Sequence, residues 1–285
     1  MDGVEHLLQQ NWEHVKTVVS AVNALPASST DTDFSRVREW NLAGAARHFR
    51  QTVLFAAYDD PALSALMRRP AYCANASGGL VVRADYGGTI GRVACAARQV
   101  FARLPSPSLA GDADARLAHF RAHLLPSLAT ATQAAEGALP PHARGTLIFV
   151  PSYLDYVRVR NALDGGDCEF ATACEYSEDA DVGAAKASFA RGDTPTLLIT
   201  ERFHFFRRPR LRGVARIIMY APPSVPHFYP ELANMLADAA AAGAAPTLTV
   251  MFSRFDAQSL ERVLGTQRAA RLLAAEGPQD RWVFV

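Results

Sequence analysis

The chain has 285 residues, four cysteines and a formal net charge of +1. Apolar residues make up 49% of it, enough for a sizeable core in one large or two modest domains. The near-zero charge means that any nucleic-acid affinity must come from local patches and not from the overall field. No apolar run reaches the ~18 residues that cross a bilayer. The start, MDGVEHLLQQ, has neither the basic residues nor the apolar stretch of a signal peptide, so no membrane partner is expected. Cys73, Cys95, Cys168 and Cys174 show no CxxC spacing. They read as reduced thiols of a cytosolic or nuclear protein, with no zinc site and no disulfide framework.

In chain order, a helix is expected over 5–25, ended by Pro26, and a polar loop over 27–33. TVLF (52–55) and LVVR (80–83) read as strands, and 93–104 as helical or mixed. Residues 105–114 are rich in Pro, Ser and Asp and read as a linker, leading to a helix over 115–136. Signals then alternate. LIFV (147–150) is a strand, 153–163 a helix ended by Asp164-Gly165-Gly166, and FATACEY (170–176) a strand. A helix over 181–191 is closed by Gly192, and TLLIT (196–200) is a buried strand. RIIMYAPP (216–223) is a strand stopped by two prolines, and 227–242 a helix. TLTVMF (247–252), two short helices around Gly265 and a terminal strand WVFV (282–285) complete the chain. Short apolar strands separated by helices of about ten residues predict βαβ units and a parallel sheet with flanking helices. The first part holds too few strands for a complete α/β domain.

Enzymatic motifs are missing. GxxxxGK[ST] does not occur, and neither Lys16 nor Lys186 follows a glycine, so no phosphate loop is formed. No apolar strand ends in paired carboxylates for magnesium; Asp112-Ala-Asp114 sits in the predicted linker. Gly87-Gly88-Thr89-Ile90-Gly91 fails the dinucleotide fingerprint at Tyr86 and reads as a plain turn. Ser152 lacks a GxSxG setting, and His204 and His227 read as packing or surface residues. No cofactor, metal, catalytic residue or small-molecule substrate is expected.

One cluster stands out. Residues 201–216, ERFHFFRRPRLRGVAR, carry Arg202, Arg207, Arg208, Arg210, Arg212 and Arg216 against Glu201, with Phe203, His204, Phe205 and Phe206 interleaved. Guanidinium groups fork onto phosphates and aromatic faces stack on bases, which suits single-stranded RNA. A basic protein-docking surface fits the same residues. A second set, Arg36, Arg38, Arg47 and Arg50 around Phe34, Trp40 and Phe49, reads as a solvated face with its aromatics inward. Glu175, Glu178, Asp179 and Asp181 read as a loop and an acidic helix start.

QNWEHV (10–15), DFSRVREWNL (33–42), RQTVLFAAYDDP (50–61), GTLIFVPSYLDYVRVRN (145–161), CEY (174–176), TERFHFFRRPRLRGV (200–214), PHFYPELANML (226–236) and GTQRAARLL (265–273) resemble, in order, the U3 small-nucleolar-RNA-associated protein 25 family. The resemblance implies a degenerate DEAD-box-helicase shape with two RecA-like lobes. Residues 1–95 would be the C-terminal remnant of the first lobe, 96–140 a linker and helix, and 141–285 the second lobe. LFAAYDDP (54–61) would stand at the helicase SAT motif, and TERFHFFRRPRLRGV where helicases carry T-D-x-x-x-R-G. PHFYPELANML would replace the arginine-bearing HRxGRxGR stretch, and 229–236 hold no arginine. Ala184 stands where relatives show an arginine, leaving Lys186 as the nearest cation. The implied role is that of a non-catalytic factor of the small-subunit processome in the nucleolus, needed for early pre-rRNA processing and 18S rRNA maturation. Its implied partners are U3 snoRNA, pre-rRNA and other processome proteins, and RNA or protein would meet it at Arg202, His204, Phe205, Phe206, Arg207, Arg208, Arg210 and Arg212.

Overall fold

A computed structural model describes residues 1–22, 24, 33–74, 78–128, 144–166, 168–275 and 280–285. The chain forms two compact units, Met1–Ala84 and Asp85–Val285.

The second unit is built on a seven-stranded sheet. Its strands are β1 (Arg98–Arg103), β2 (Gly145–Val150), β3 (Phe170–Ala173), β4 (Thr196–Thr200), β5 (Val214–Met219), β6 (Thr247–Phe252) and β7 (Arg281–Phe284). The spatial order is β3-β4-β2-β5-β6-β1-β7. All neighbouring pairs are parallel except β1 and β7, which run antiparallel. The expected α/β fold with a parallel sheet and flanking helices therefore holds.

Every residue of β2 and β4 is buried, the mark of strands covered on both faces. The two-residue period divides them. Leu147, Phe149, Leu197 and Ile199 enter one core with Val182 and Phe189 of the helix Asp179–Arg191. Ile148, Val150 and Leu198 enter the other core with Tyr156, Val159 and Leu163 of the helix Tyr153–Asp164. Gly192, at φ 82°, closes the helix Asp179–Arg191 in the left-handed region, as its sequence position predicts.

Several elements differ from expectation. Residues 93–104 hold a strand where a helical or mixed segment was expected: β1 lies between β6 and β7, with Gln99, Phe101 and Ala102 buried. The helix that follows begins already at Asp112, inside the stretch 105–114 that reads as a linker. It passes through a π turn over Phe120–Leu124; the predicted continuation over 129–136 lies outside the described residues. FATACEY is a strand only over Phe170–Ala173, and the strand expected at 216–223 runs from Val214 to Met219. The helix expected over 227–242 is broken into Phe228–Ala233, a 3-10 turn Asn234–Leu236 and Ala237–Ala241.

In the first unit the helix expected over 5–25 is two helices, Val4–Leu8 and Trp12–Ala21; Asn11 caps the second by accepting from the Glu13 N–H. Residues 25–32, with most of the predicted polar loop, lie outside the described residues. TVLF and LVVR are not strands. Met1 and Val4 exchange three backbone hydrogen bonds with Val53 and Phe55, which is too short a ladder for a sheet. Leu80, Val81 and Val82 are 84%, 68% and 85% exposed. An apolar run becomes a strand only when a neighbour supplies the hydrogen bonds.

The Gly87-Gly88 turn serves packing. Gly88 has φ 78°, and a Cβ there would stand 2.5 Å from the backbone of Leu264 and Gly265. The Thr89 N–H donates to the Val263 carbonyl nearby (2.8 Å).

Candidate functional site

The arginine-bearing segment lies at the carboxyl end of β4, the edge of a parallel sheet where binding groups collect. Thr200 caps the helix Glu201–Arg207: its Oγ1 accepts from the Phe203 N–H (3.1 Å) and donates to Glu175 (2.7 Å). The helix turns Phe203 and His204 into the core and leaves Arg202, Phe206 and Arg207 outside. It ends at Arg208, at φ 40° and ψ 50°. Among the described residues Arg208 alone combines a side chain with positive φ. That conformation costs about 1–2 kcal/mol. Offsetting contacts hold it: Arg208 Nη1 donates to both carboxylate oxygens of Glu231 (2.6 and 2.7 Å), and the guanidinium lies over the Phe228 ring, 4.7 Å from its centroid.

His204 is turned inward and leaves the exposed set. Its Nε2 meets the Glu231 carboxylate at 3.0 Å. Since the carboxylate accepts, Nε2 carries the proton, and the buried Nδ1 has no partner among the described residues. Burial lowers the His204 pKa despite Glu231, so the imidazole is neutral. Burial alone would raise Glu231, but hydrogen bonds from His204 and Arg208 hold it below the usual carboxylate range.

The arginines therefore fall into distinct groups. Arg207 pairs with Asp179 and Arg208 with Glu231. Arg216 is half-buried and donates to the Ser127 carbonyl and hydroxyl (3.1 and 2.7 Å), away from the exposed face. Arg202, Arg210 and Arg212 are exposed and have no carboxylate partner among the described residues. Arg202 lies over Phe206 (5.7 Å), which is 55% exposed, and Phe205 is half-buried against Phe206 and Phe228.

The second basic set is dispersed in role. Arg50 donates to the carbonyls of Val19, Val22 and Tyr72, tying the first unit together. Arg38 lies over Trp40 (5.0 Å). Phe34, Trp40 and Phe49 were expected inward but are exposed; the last two contact one another at 5.5 Å. Arg36 and Arg47 lie in short helical turns and are exposed.

In residues 226–236, Phe228, Tyr229, Leu232 and Leu236 are fully buried, and the Tyr229 hydroxyl donates to Gln99 (2.7 Å). That segment is a packing element whose half-buried carboxylate, Glu231, faces Arg208. Two polar anchors were not read from the sequence. Arg116, buried near the carboxyl ends of β5 and β6, bonds Asp112 (3.0 Å), Asp256 (2.6 Å) and the Tyr220 carbonyl (2.9 Å). Glu201 is buried and accepts from the N–H groups of Ser224 (3.1 Å) and Val225 (3.0 Å). The i,i+4 pair Asp112/Arg116 was a visible hint for the first; nothing local marked the second. Among the described residues no group of three or more His, Cys, Asp or Glu could hold a metal ion, and no helix is long and apolar enough to cross a membrane.

Residues 89–284 match the family described as "Utp25, C-terminal domain". The chain belongs to the Utp25 family. Residues 1–80 match that family's "NTP hydrolase-like domain". A Chaetomium globosum relative, named U3 small nucleolar RNA-associated protein 25, is 38% identical over 294 residues, covering 100% of this chain and 39% of the relative. A human homolog of that name is 38% identical over 275 residues, covering 96% of this chain and 35% of the relative. The chain thus spans well under half the length of these Utp25 relatives. Among solved structures, the Escherichia coli DEAD-box protein SrmB, bound to a regulator of ribonuclease activity, aligns at 16% identity and TM-score 0.45, over 59% of this chain and 84% of that one. The C-terminal domain of the DEAD-box protein Dbp5 aligns at 10% identity and TM-score 0.38, over 55% and 77%.

Proposed function

We propose that the chain is part of a non-enzymatic, helicase-shaped assembly factor of the small-subunit processome, acting in the nucleolus in early pre-rRNA processing and 18S rRNA maturation. The family and its members' name support the processome. The missing phosphate loop and the apolar packing of residues 226–236 support a body without turnover. Its partners are U3 snoRNA or pre-rRNA and neighbouring processome proteins.

The observation that carries the RNA contact is the set Arg202, Arg210 and Arg212, exposed and without a carboxylate partner among the described residues. These guanidinium groups can engage phosphate without first breaking an ion pair, whereas Arg207 and Arg208 are already neutralised by Asp179 and Glu231. Replacing Arg202, Arg210 and Arg212 by alanine in the full-length protein is expected to reduce crosslinking to U3 and pre-ribosomal RNA. If each arginine holds one phosphate, the salt slope of binding to single-stranded RNA falls by about 2 (~0.7 per phosphate). An unchanged slope and crosslinking yield would refute the contact. Robust RNA-stimulated ATP turnover by the full-length protein would refute the non-enzymatic reading.

A further inference from the structure

Two loops at the carboxyl edge of the sheet leave large apolar side chains in water. After β2 the chain turns at Pro151-Ser152 into the helix Tyr153–Asp164. That helix buries Tyr156, Val159, Ala162 and Leu163, yet Tyr153 and Leu154 in its first turn are 39% and 75% exposed. After β3 a turn closed by the Cys174 N–H donating to Ser177 Oγ (3.0 Å) lifts out Tyr176, which is 70% exposed. The two loops meet. Tyr153 and Tyr176 stand edge to face with centroids 5.0 Å apart, and Tyr153 stacks on the buried Tyr156 at 5.8 Å. A tyrosine held between two others loses little further freedom on binding, and such side chains dominate interface energetics.

The rim decides what this patch accepts. Glu178 and Asp181, two and five residues after Tyr176, are exposed and have no ion pair among the described residues, while Asp179 between them holds Arg207. A phosphate backbone would be repelled here, and cations would be drawn in. We propose that Tyr153, Leu154 and Tyr176 form a docking site for a basic peptide segment of another protein, with an apolar side chain seated against the tyrosine pair and Lys or Arg residues against Glu178 and Asp181. The site adjoins the arginine face through the Asp179–Arg207 pair, but it is built from different side chains and does not depend on RNA contact there.

The test places p-benzoylphenylalanine at Leu154 in the full-length protein in cells, followed by irradiation, denaturing purification and mass spectrometry. The expected product is a crosslinked peptide with lysine or arginine within a few residues of the attachment point. Its yield should fall about tenfold in a Glu178→Lys/Asp181→Lys background, because reversed rim charges repel the same cations. Both substitutions are at exposed positions, and an unchanged melting temperature verifies folding. The yield should persist in the Arg202→Ala/Arg210→Ala/Arg212→Ala protein, which separates this site from the RNA contact. A crosslink to RNA, a linked peptide without basic residues, no crosslink, or a yield indifferent to the rim charges would each overturn the proposal.

Discussion

Replacing Glu201 by glutamine should change how stability depends on pH, by an amount set by burial. Burial drives the Glu201 pKa from its ordinary 4.5 up to about 7, against the Ser224 and Val225 hydrogen bonds and the nearby Arg262 charge. The folded state therefore holds a proton that the unfolded chain has released between those two values. Stability contributed by that proton is complete below pH 4.5 and is lost as pH rises through about 7. At about 1.4 kcal/mol per unit, the loss is about 3 kcal/mol. Glutamine does not titrate. Its single carbonyl oxygen also cannot serve both N–H groups, at a pH-independent cost of about 1–3 kcal/mol. The wild type should be more stable than the variant at pH 4.5, and the difference should shrink by about 3 kcal/mol by pH 8. Urea unfolding across that range measures it. In a Trp12→Phe/Trp40→Phe background, Trp282 is the remaining indole and reports the second unit. Wild-type and variant curves that run parallel in pH would show that the carboxylate is not held by desolvation.

Two further substitutions test the frame. Arg116→Met strands the Asp112 and Asp256 carboxylates, whose side chains are only 16% and 18% exposed; the expected cost is about 3–5 kcal/mol, read as a lowered urea midpoint. Gly88→Ala forces a Cβ into the backbone at Leu264 and Gly265 and strains a positive φ. It should cost about 2–4 kcal/mol and lower the melting temperature by roughly 5–15 °C. A thermally silent variant would mean that the turn does not pack there.

The strands β2, β4, β5 and β6 were legible because each is a short apolar run buried on both faces, a pattern contained within the strand itself. β1 was not: it opens and closes on arginines, includes Gln99, and finds its partners Thr247–Phe252 far along the chain. Conversely, 80–82 carry a strong strand signal, yet the structure gives them no sheet. At the site, the concentration of arginines was plain, but not how they are used. The acids that neutralise Arg207 and Arg208 lie 28 and 23 residues away, and Asp256 lies 140 residues from Arg116. Charge composition is local, whereas ion pairing belongs to the folded chain.

The position of β1 also orders events during synthesis. Arg98 sits opposite Thr247, so the strand that fills the gap between β6 and β7 leaves the ribosome long before its neighbours exist. At 5–20 residues per second, β1 waits on the order of ten seconds with Phe101 unsheltered. The inner strands β2, β4 and β5 can zip together during that interval. The early strand must stay soluble, or be held by a chaperone, until β6 arrives to receive it.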